Sequence, residues 1–218
     1  VADVAVAVFA SGEGTNLRAL LDADLGPGRV VRVVVNVPEA GALACAREAG
    51  VPSSVIDHRV HRPRRVFEEK AIEILRADGV EWVVFAGFMR LVSRTFLDAF
   101  EGRVLNLHPS LLPAFPGIDG PRQALDAGVR ITGCTVHLVD AGIDSGPIVA
   151  QAAVPVFDDD DVASLTARIH DAEHALLPGV VRAVAEGRLV RVDGRPRLDG
   201  FPSRPGRLTS PALSEGSP

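Results

Sequence analysis

Val4-Ala5-Val6-Ala7-Val8-Phe9-Ala10-Ser11-Gly12-Glu13-Gly14-Thr15-Asn16-Leu17 is the stretch that decides the fold. It begins as a short apolar run with β-branched residues and passes into a glycine turn, after which Leu17, Leu20 and Leu21 recur at helical spacing. Strand, glycine turn and helix in that order open a βα unit, and outward from it the alternation repeats. Residues 30–37 read as a strand, 40–49 as a helix, 53–56 as a strand, and 64–76 as an amphipathic helix with Phe67, Ile72 and Leu75 on one stripe. Residues 82–86 and 104–107 are near-continuous apolar runs of strand length, the pattern of parallel strands buried on both faces. The expected fold class is therefore α/β, a doubly wound, mostly parallel Rossmann-like sheet.

Past residue 108 the pattern changes to a Pro-rich loop, a short helix over 122–127, and strands over 132–139 and 148–154 that look like antiparallel additions to the sheet. A last helix opens after the acidic run 158–161, whose charge suits the positive end of a helix dipole, and runs to about residue 185. From Asp193 onward Gly, Pro, Ser and Arg dominate without periodicity. The expectation is one domain over residues 1–192 and a poorly ordered tail over 193–218.

At 218 residues, 47% hydrophobic and 23% charged, the chain is neither disordered nor fibrous in composition and is long enough to bury a core without a disulfide or metal staple. Lys and Arg total 23 against 28 Asp and Glu, a net charge of -5, so no nucleic-acid partner is expected. The apolar run 4–10 is far short of the roughly 20 residues a membrane span needs, and Asp3 stands where a signal peptide would be basic. The expectation is a cytoplasmic protein with no membrane partner. Cys45 and Cys134 have no ligand spacing and read as buried thiols. Lys70 is the one lysine among the 23 basic residues, a skew that, with abundant Ala, Gly, Val and Pro, points to a GC-rich, bacterial coding genome.

Three stretches carry chemistry. In the glycine turn, backbone N–H groups and a helix N-terminus converge on an anion. Leu17 stands where a dinucleotide fold wants a third glycine, and the second strand ends in Asn36 rather than an acid. A lone phosphate monoester held by Gly14, Thr15 and Asn16 therefore fits better than a nucleotide cofactor. The second stretch is Asn106-Leu107-His108-Pro109-Ser110-Leu111-Leu112-Pro113, at the carboxyl end of an apolar strand. In extended backbone, residues two apart share a face, so an amide donor and an imidazole point into one crevice, with Pro109 holding His108 extended. A donor for a developing oxyanion beside a base is an acyl-transfer arrangement, and a buried loop histidine is the alternative. The third is Asp140-Ala141-Gly142-Ile143-Asp144-Ser145-Gly146-Pro147, a turn that either delivers a carboxylate to that crevice or is turn chemistry alone.

Together these stretches resemble the folate-dependent formyltransferases over about residues 4–190. The family's parts occur here in its order: Ser11 to Asn16, Ala86-Gly87-Phe88-Met89-Arg90, Asn106 to Pro113, Gly133-Cys134-Thr135-Val136-His137 leading to Asp144-Ser145-Gly146-Pro147, and Glu173-His174. The resemblance implies transfer of the formyl group of 10-formyltetrahydrofolate to the amine of 5'-phosphoribosylglycinamide, without metal, by a monomer or homodimer whose partners are these small molecules. It assigns Asn106 to the oxyanion, His108 to proton transfer and Asp144 to orienting that histidine. It assigns the ribonucleotide to Gly14, Thr15 and Asn16 at the phosphate and to His170, Asp171, Ala172 and Glu173 at the glycinamide end. The folate falls to Arg64 at its anionic end and to Met89, Arg90, Leu91, Val92, Asn106, Asp140, Ala141, Gly142, Ile143 and Asp144 around the pteridine. One departure stands out: Asp119 occupies a loop position where many members carry histidine.

Rival readings remain. His170-Asp171-Ala172-Glu173-His174 matches an H-x-x-E-H zinc pattern, which needs a third ligand. Within the family, a deformylase would carry an N-terminal regulatory domain, and a transfer-RNA formyltransferase a C-terminal β-rich module. Neither is expected, with the first strand at Val4 and a short Pro-rich tail. A non-catalytic binding module on the same scaffold is the reading from another class.

Overall fold

In the computed structural model, which describes residues 2–200, Val6, Val8 and Ala10 belong to one buried apolar cluster and Ala7 and Phe9 to another. Both faces of the first strand are thus covered, as its unbroken apolar run requires. In chain order the elements are β1 (Val4–Ala10), α1 (Thr15–Asp22), β2 (Gly28–Val35), α2 (Ala42–Glu48), β3 (Ser53–Val55), α3 (Arg64–Ala77), β4 (Trp82–Phe85), α4 (Arg94–Ala99), β5 (Val104–His108), α5 (Gly120–Asp126), β6 (Ile131–Leu138), β7 (Ile148–Pro155), α6 (Val162–Ala185), β8 (Leu189–Val192) and β9 (Arg195–Leu198).

The main sheet runs β3-β2-β1-β4-β5-β6-β7. Its pairs are parallel as far as β5, after which β6 joins β5 and β7 joins β6 antiparallel. Strand order reverses at β1, whose neighbours are β2 and β4, so the carboxyl edge there is the switch-point crevice of an open α/β sheet. On one face, Leu17 and Leu20 of α1, Ala42 and Ala46 of α2 and Leu165, Ile169 and Leu177 of α6 form the larger core. On the other, Phe67, Ala71 and Leu75 of α3 and Phe96 of α4 close over β1 and β4. Phe9 anchors that side, meeting Phe85, Phe88 and Phe96 edge-on at 5.5, 5.2 and 5.8 Å between ring centroids. The acidic run does start α6: Asp161 accepts the Ser164 N–H at 2.8 Å while Ser164 Oγ accepts the Asp161 N–H at 3.0 Å. Among the described residues no helix is long and apolar enough to cross a membrane.

Three expectations need correction. Helix α4 was not foreseen, since six residues are too few to display a period. Residues 195–198, expected in the tail, form a strand instead: β8 and β9 pair antiparallel through Asp193 and Gly194, both at positive φ (50° and 77°). Asp-Gly is the pair a two-residue hairpin demands, and the surrounding Arg and Pro obscured it. Residues 201–218 of that tail lie outside the described residues. Cys134 is buried and burial pushes its thiol up to about 12, whereas Cys45 is only half-buried.

Candidate active site

Asn106 and His108 lie two apart on β5, with side chains on the same face, as the spacing dictates. Opposite Asn106 in the antiparallel register is His137 of β6. The connection 139–147 between β6 and β7 sets Asp144 beside all three. Gly146 allows this close return, since a Cβ there would stand 1.7 Å from the Leu138 carbonyl oxygen. Asp144 sits at φ 49°, a left-handed conformation that Asp tolerates better than most residues.

That backbone brings the carboxylate to the strand pair. Asp144 Oδ2 stands 3.4 Å from His108 Nδ1 and accepts the Gly117 N–H at 2.8 Å. Its Oδ1 lies 3.4 Å from Asn106 Nδ2 and 3.7 Å from His137 Nε2. His108 Nε2 donates to the Phe115 carbonyl at 2.9 Å, so the loop after β5 holds both the imidazole and the carboxylate. The loop is itself tied to the antiparallel strands: Thr135 Oγ1 donates to Ser110 O at 2.6 Å and Gln151 Nε2 to Leu112 O at 2.9 Å.

His137 is a site residue that the assignment of roles missed. Its Nδ1 faces the Leu138 carbonyl at 3.0 Å, an acceptor only, and therefore carries the proton. The bare Nε2 accepts one N–H of Asn106 at 3.0 Å, which fixes the amide with its nitrogen turned toward Asp144. Burial holds the His137 imidazole below its ordinary pKa and keeps it neutral for this role. The signal was available: His137 alternates with Thr135 along a strand paired to Asn106.

At the carboxyl edge of β1, Gly14 (φ 84°) opens α1, and a cleft of about 530 Å3 is lined there by Gly14, Thr15, Arg18, Cys45 and His174. Asn16 Nδ2 donates to Glu173 Oε2 at 2.8 Å, joining the turn to α6. Glu173 is 3% exposed, and burial raises its carboxyl above the ordinary range against the lowering effect of that hydrogen bond. His170 stacks on His174, centroids 6.1 Å apart, while Asp171 is exposed and Ala172 half-buried. Among the described residues no group of three or more His, Cys, Asp and Glu side chains is arranged to hold a metal ion, so the H-x-x-E-H match lacks its third ligand.

The expected folate residues are dispersed around the crevice. Met89 and Leu91 are 74% and 55% exposed on the segment after β4, with Arg90 and Val92 half-buried between and beyond them. In the β6–β7 connection Asp140 accepts from Gly142 N and Ser145 Oγ, while Ala141, Gly142 and Ile143 face outward. Arg64 stands apart from the Asn106–His108–Asp144 group, at the start of α3. Asp119 is exposed, at φ 64°, with its carboxylate turned to Arg122 at 3.8 Å. A further network was not foreseen: Ser11 Oγ donates to Asn36 Oδ1 at 2.7 Å and accepts the Met89 N–H at 2.9 Å, tying β1, β2 and the segment after β4 together.

An amide and an imidazole each 3.4 Å from one carboxylate, beside a glycine turn at the switch point of an α/β sheet, form an arrangement suited to acyl transfer. The chain belongs to the formyl transferase family, whose pattern it matches over residues 4–181. The phosphoribosylglycinamide formyltransferase of Mycobacterium tuberculosis is 48% identical over 180 residues, 82% of this chain and 83% of that protein. The crystal structure of glycinamide ribonucleotide transformylase 1 from Symbiobacterium toebii superposes with a TM-score of 0.87 at 47% identity, covering 90% of this chain and 94% of the other. The trifunctional purine biosynthetic protein adenosine-3 of Drosophila melanogaster is 45% identical over 187 residues, and this chain spans only 14% of its length.

Proposed function

We propose that the chain transfers the formyl group of 10-formyltetrahydrofolate to the primary amine of 5'-phosphoribosylglycinamide, acting as a phosphoribosylglycinamide formyltransferase of purine biosynthesis. The observation that carries the reading is the convergence of Asn106, His108 and Asp144 at the end of β5, with the Asn16–Glu173 pair joining the glycine turn to α6. The names of the relatives above support it.

In this reading the amine attacks the formyl carbon, the carbonyl oxygen becomes an oxyanion, and the bond to N10 of the folate then breaks. One N–H of Asn106 is committed to His137, and the other makes only a 3.4 Å contact to Asp144, so it is the one to turn onto the oxyanion. A proton leaves the amine and one is delivered to N10; His108 carries it, once a shift at Phe115 frees Nε2. Asp144 stabilises the charge that appears on the ring. Gly14, Thr15 and Asn16 hold the ribonucleotide phosphate at the start of α1, and Glu173 with His170 to Ala172 receives the glycinamide end. Met89 to Val92 and residues 140–144 flank the pteridine, and Arg64, its side chain 48% exposed, meets the anionic end of the folate.

The reading needs no metal, nucleic acid or membrane, is compatible with a monomer or a homodimer, and places the protein in the cytoplasm. The test follows deformylation of a 10-formyl folate spectroscopically, with and without the ribonucleotide. Product appearing only with the ribonucleotide is the expected result. Formate released without it would make the protein a deformylase, and silence in both would refute catalysis.

A further inference from the structure

The segment after β4 is held at both ends. At its start the Met89 N–H donates to Ser11 Oγ. At its end Ser93 gives both of its donors to one carboxylate: its N–H reaches Glu68 Oε1 at 2.7 Å and its hydroxyl donates to Glu68 Oε2. Glu68 belongs to α3 and is 1% exposed, an unusual place for a carboxylate unless donors satisfy it. Ser93 is also the N-cap residue of α4, where a serine hydroxyl ordinarily accepts from the helix's own first N–H groups. Here no side-chain cap bond forms, and the hydroxyl is spent on α3 instead.

The same carboxylate also faces Arg64. One turn earlier in α3, Arg64 Nε lies 3.7 Å from Glu68 Oε1 while the side chain remains 48% exposed, so Glu68 restrains the guanidinium as it reaches toward solvent. Between them in α3, Phe67 lies under the Arg90 guanidinium, 5.6 Å from ring centroid to Cζ. A single face of α3 thus grips residues 90 and 93 of the segment and Arg64.

We propose that Glu68 is a positioning residue for the formyl donor, fixing the segment Met89 to Val92 and the Arg64 cation in one geometry relative to each other. This rests on the assignment of residues 89–92 and Arg64 to the folate in the proposed function. Glu68 meets neither substrate nor reacting atoms; it acts by denying the segment and the cation independent motion, which is pre-organisation of a binding surface.

Glu68→Gln keeps the size and one acceptor for the Ser93 N–H while removing the charge that faces Arg64. Tetrahydrofolate binding, measured by calorimetry on the full chain, is expected to weaken about tenfold, the scale of one charge-assisted contact. The KM for the formyl donor should rise in step, with the ribonucleotide KM and kcat at saturating donor staying within about twofold of the parent. Ser93→Ala, which leaves Glu68 and its charge in place, should give the same donor-only effect with smaller size and covers the case in which the Gln variant misfolds. Arg64→Ala combined with Glu68→Gln should weaken folate binding by less than the product of the two single effects. Unchanged folate affinity in folded Glu68→Gln, or an equal rise in both KM values with a lowered melting temperature, overturns the proposal. A parent chain that binds no folate at all overturns the proposed function, and this inference with it.

Discussion

Replacing Asp144 by Asn removes one charge from the centre of the site at almost constant volume. Oδ2 serves Gly117 and His108, and Oδ1 faces Asn106 and His137. The amide has to put its NH2 on one of these two sides. Toward Gly117 it would meet a donor, so its oxygen stays there and its NH2 turns to Asn106 and His137. On that side it competes with Asn106 for the one lone pair of His137 Nε2. The substitution therefore disturbs the oxyanion donor as well as the charge beside His108. A unit pair at this separation is worth about 1 kcal/mol in bulk water and about 5 kcal/mol at an effective dielectric near 20. With its side chain 15% exposed, Asp144 lies nearer the second limit. The expected loss is about 3 to 4 kcal/mol of transition-state stabilisation, a fall in kcat of roughly 10²- to 10³-fold. Steady-state kinetics give kcat, and calorimetry with tetrahydrofolate tests separately that folate affinity survives. A folded variant with kcat within about fivefold of the parent would refute the reasoning, because no assignment of Asp144 to the charged His108 survives so small a loss.

Asn106→Leu should raise the barrier by about 2.7 to 4 kcal/mol, as loss of one oxyanion donor does in comparable sites; single-turnover rates check it, and a loss well under tenfold would remove Asn106 from that role. Glu173→Gln tests a pH dependence. Burial raises the folded carboxyl above its ordinary 4.5, so the stability Glu173 lends is full below that pH and is lost as pH rises through the folded value. The Gln variant, which mimics the protonated form, should therefore melt no higher than the parent near pH 4 and progressively higher than it toward pH 8, with weaker ribonucleotide binding; a gap independent of pH would contradict this. Gly14→Ala forces a side chain at φ 84° to within 2.7 Å of the Ala42 Cα, whereas a Cβ at Gly12 meets nothing within 4 Å. Urea denaturation should show a loss of about 1 to 3 kcal/mol for the first and about 0.5 kcal/mol or less for the second, and equal losses would refute the packing argument.

Where the sequence was legible, a periodic signal had a single physical cause. Unbroken apolar runs such as 6–10 and 83–85 are buried from both sides by helices, and the alternation of Asn106 and His108 follows from the pleat alone. The glycine turn could be placed because Gly14 needs a positive φ immediately before a helix. What stayed hidden depends on partners distant in the chain. Glu68 looks like one more helix-surface acid until Ser93, 25 residues on, is seen to satisfy it. His137 acquires its role from the register that sets it across from Asn106, and register is not written in either strand alone. Cys45 could not be told from Cys134, since their difference lies in which residues pack over them.

The change of strand direction at β5 also explains why the chemistry sits there. A parallel neighbour must be reached by a crossover, and in this sheet the crossovers are the helices that cover both faces from β3 to β5. An antiparallel neighbour needs only a loop. Beyond β5 the chain turns back through β6 and β7, and on the face bearing Asn106, His108 and His137 the aromatic cluster under α3 and α4 takes in Val104 at the start of β5 and meets Val139 just past β6. That face is closed by two loops, 109–119 and 139–147, which carry polar groups to it: the Phe115 carbonyl, the Gly117 N–H and the Asp144 carboxylate. Val104 still packs with the residues of α3 and α4, but further along the same face Asn106 and His108 offer a helix no apolar surface. The same substitution of loop for helix allows motion, since the Phe115 carbonyl must release His108 Nε2 before that nitrogen can exchange a proton with substrate. Burial on both faces builds the scaffold up to β5; from β5 onward, one face given over to loops makes room for substrates.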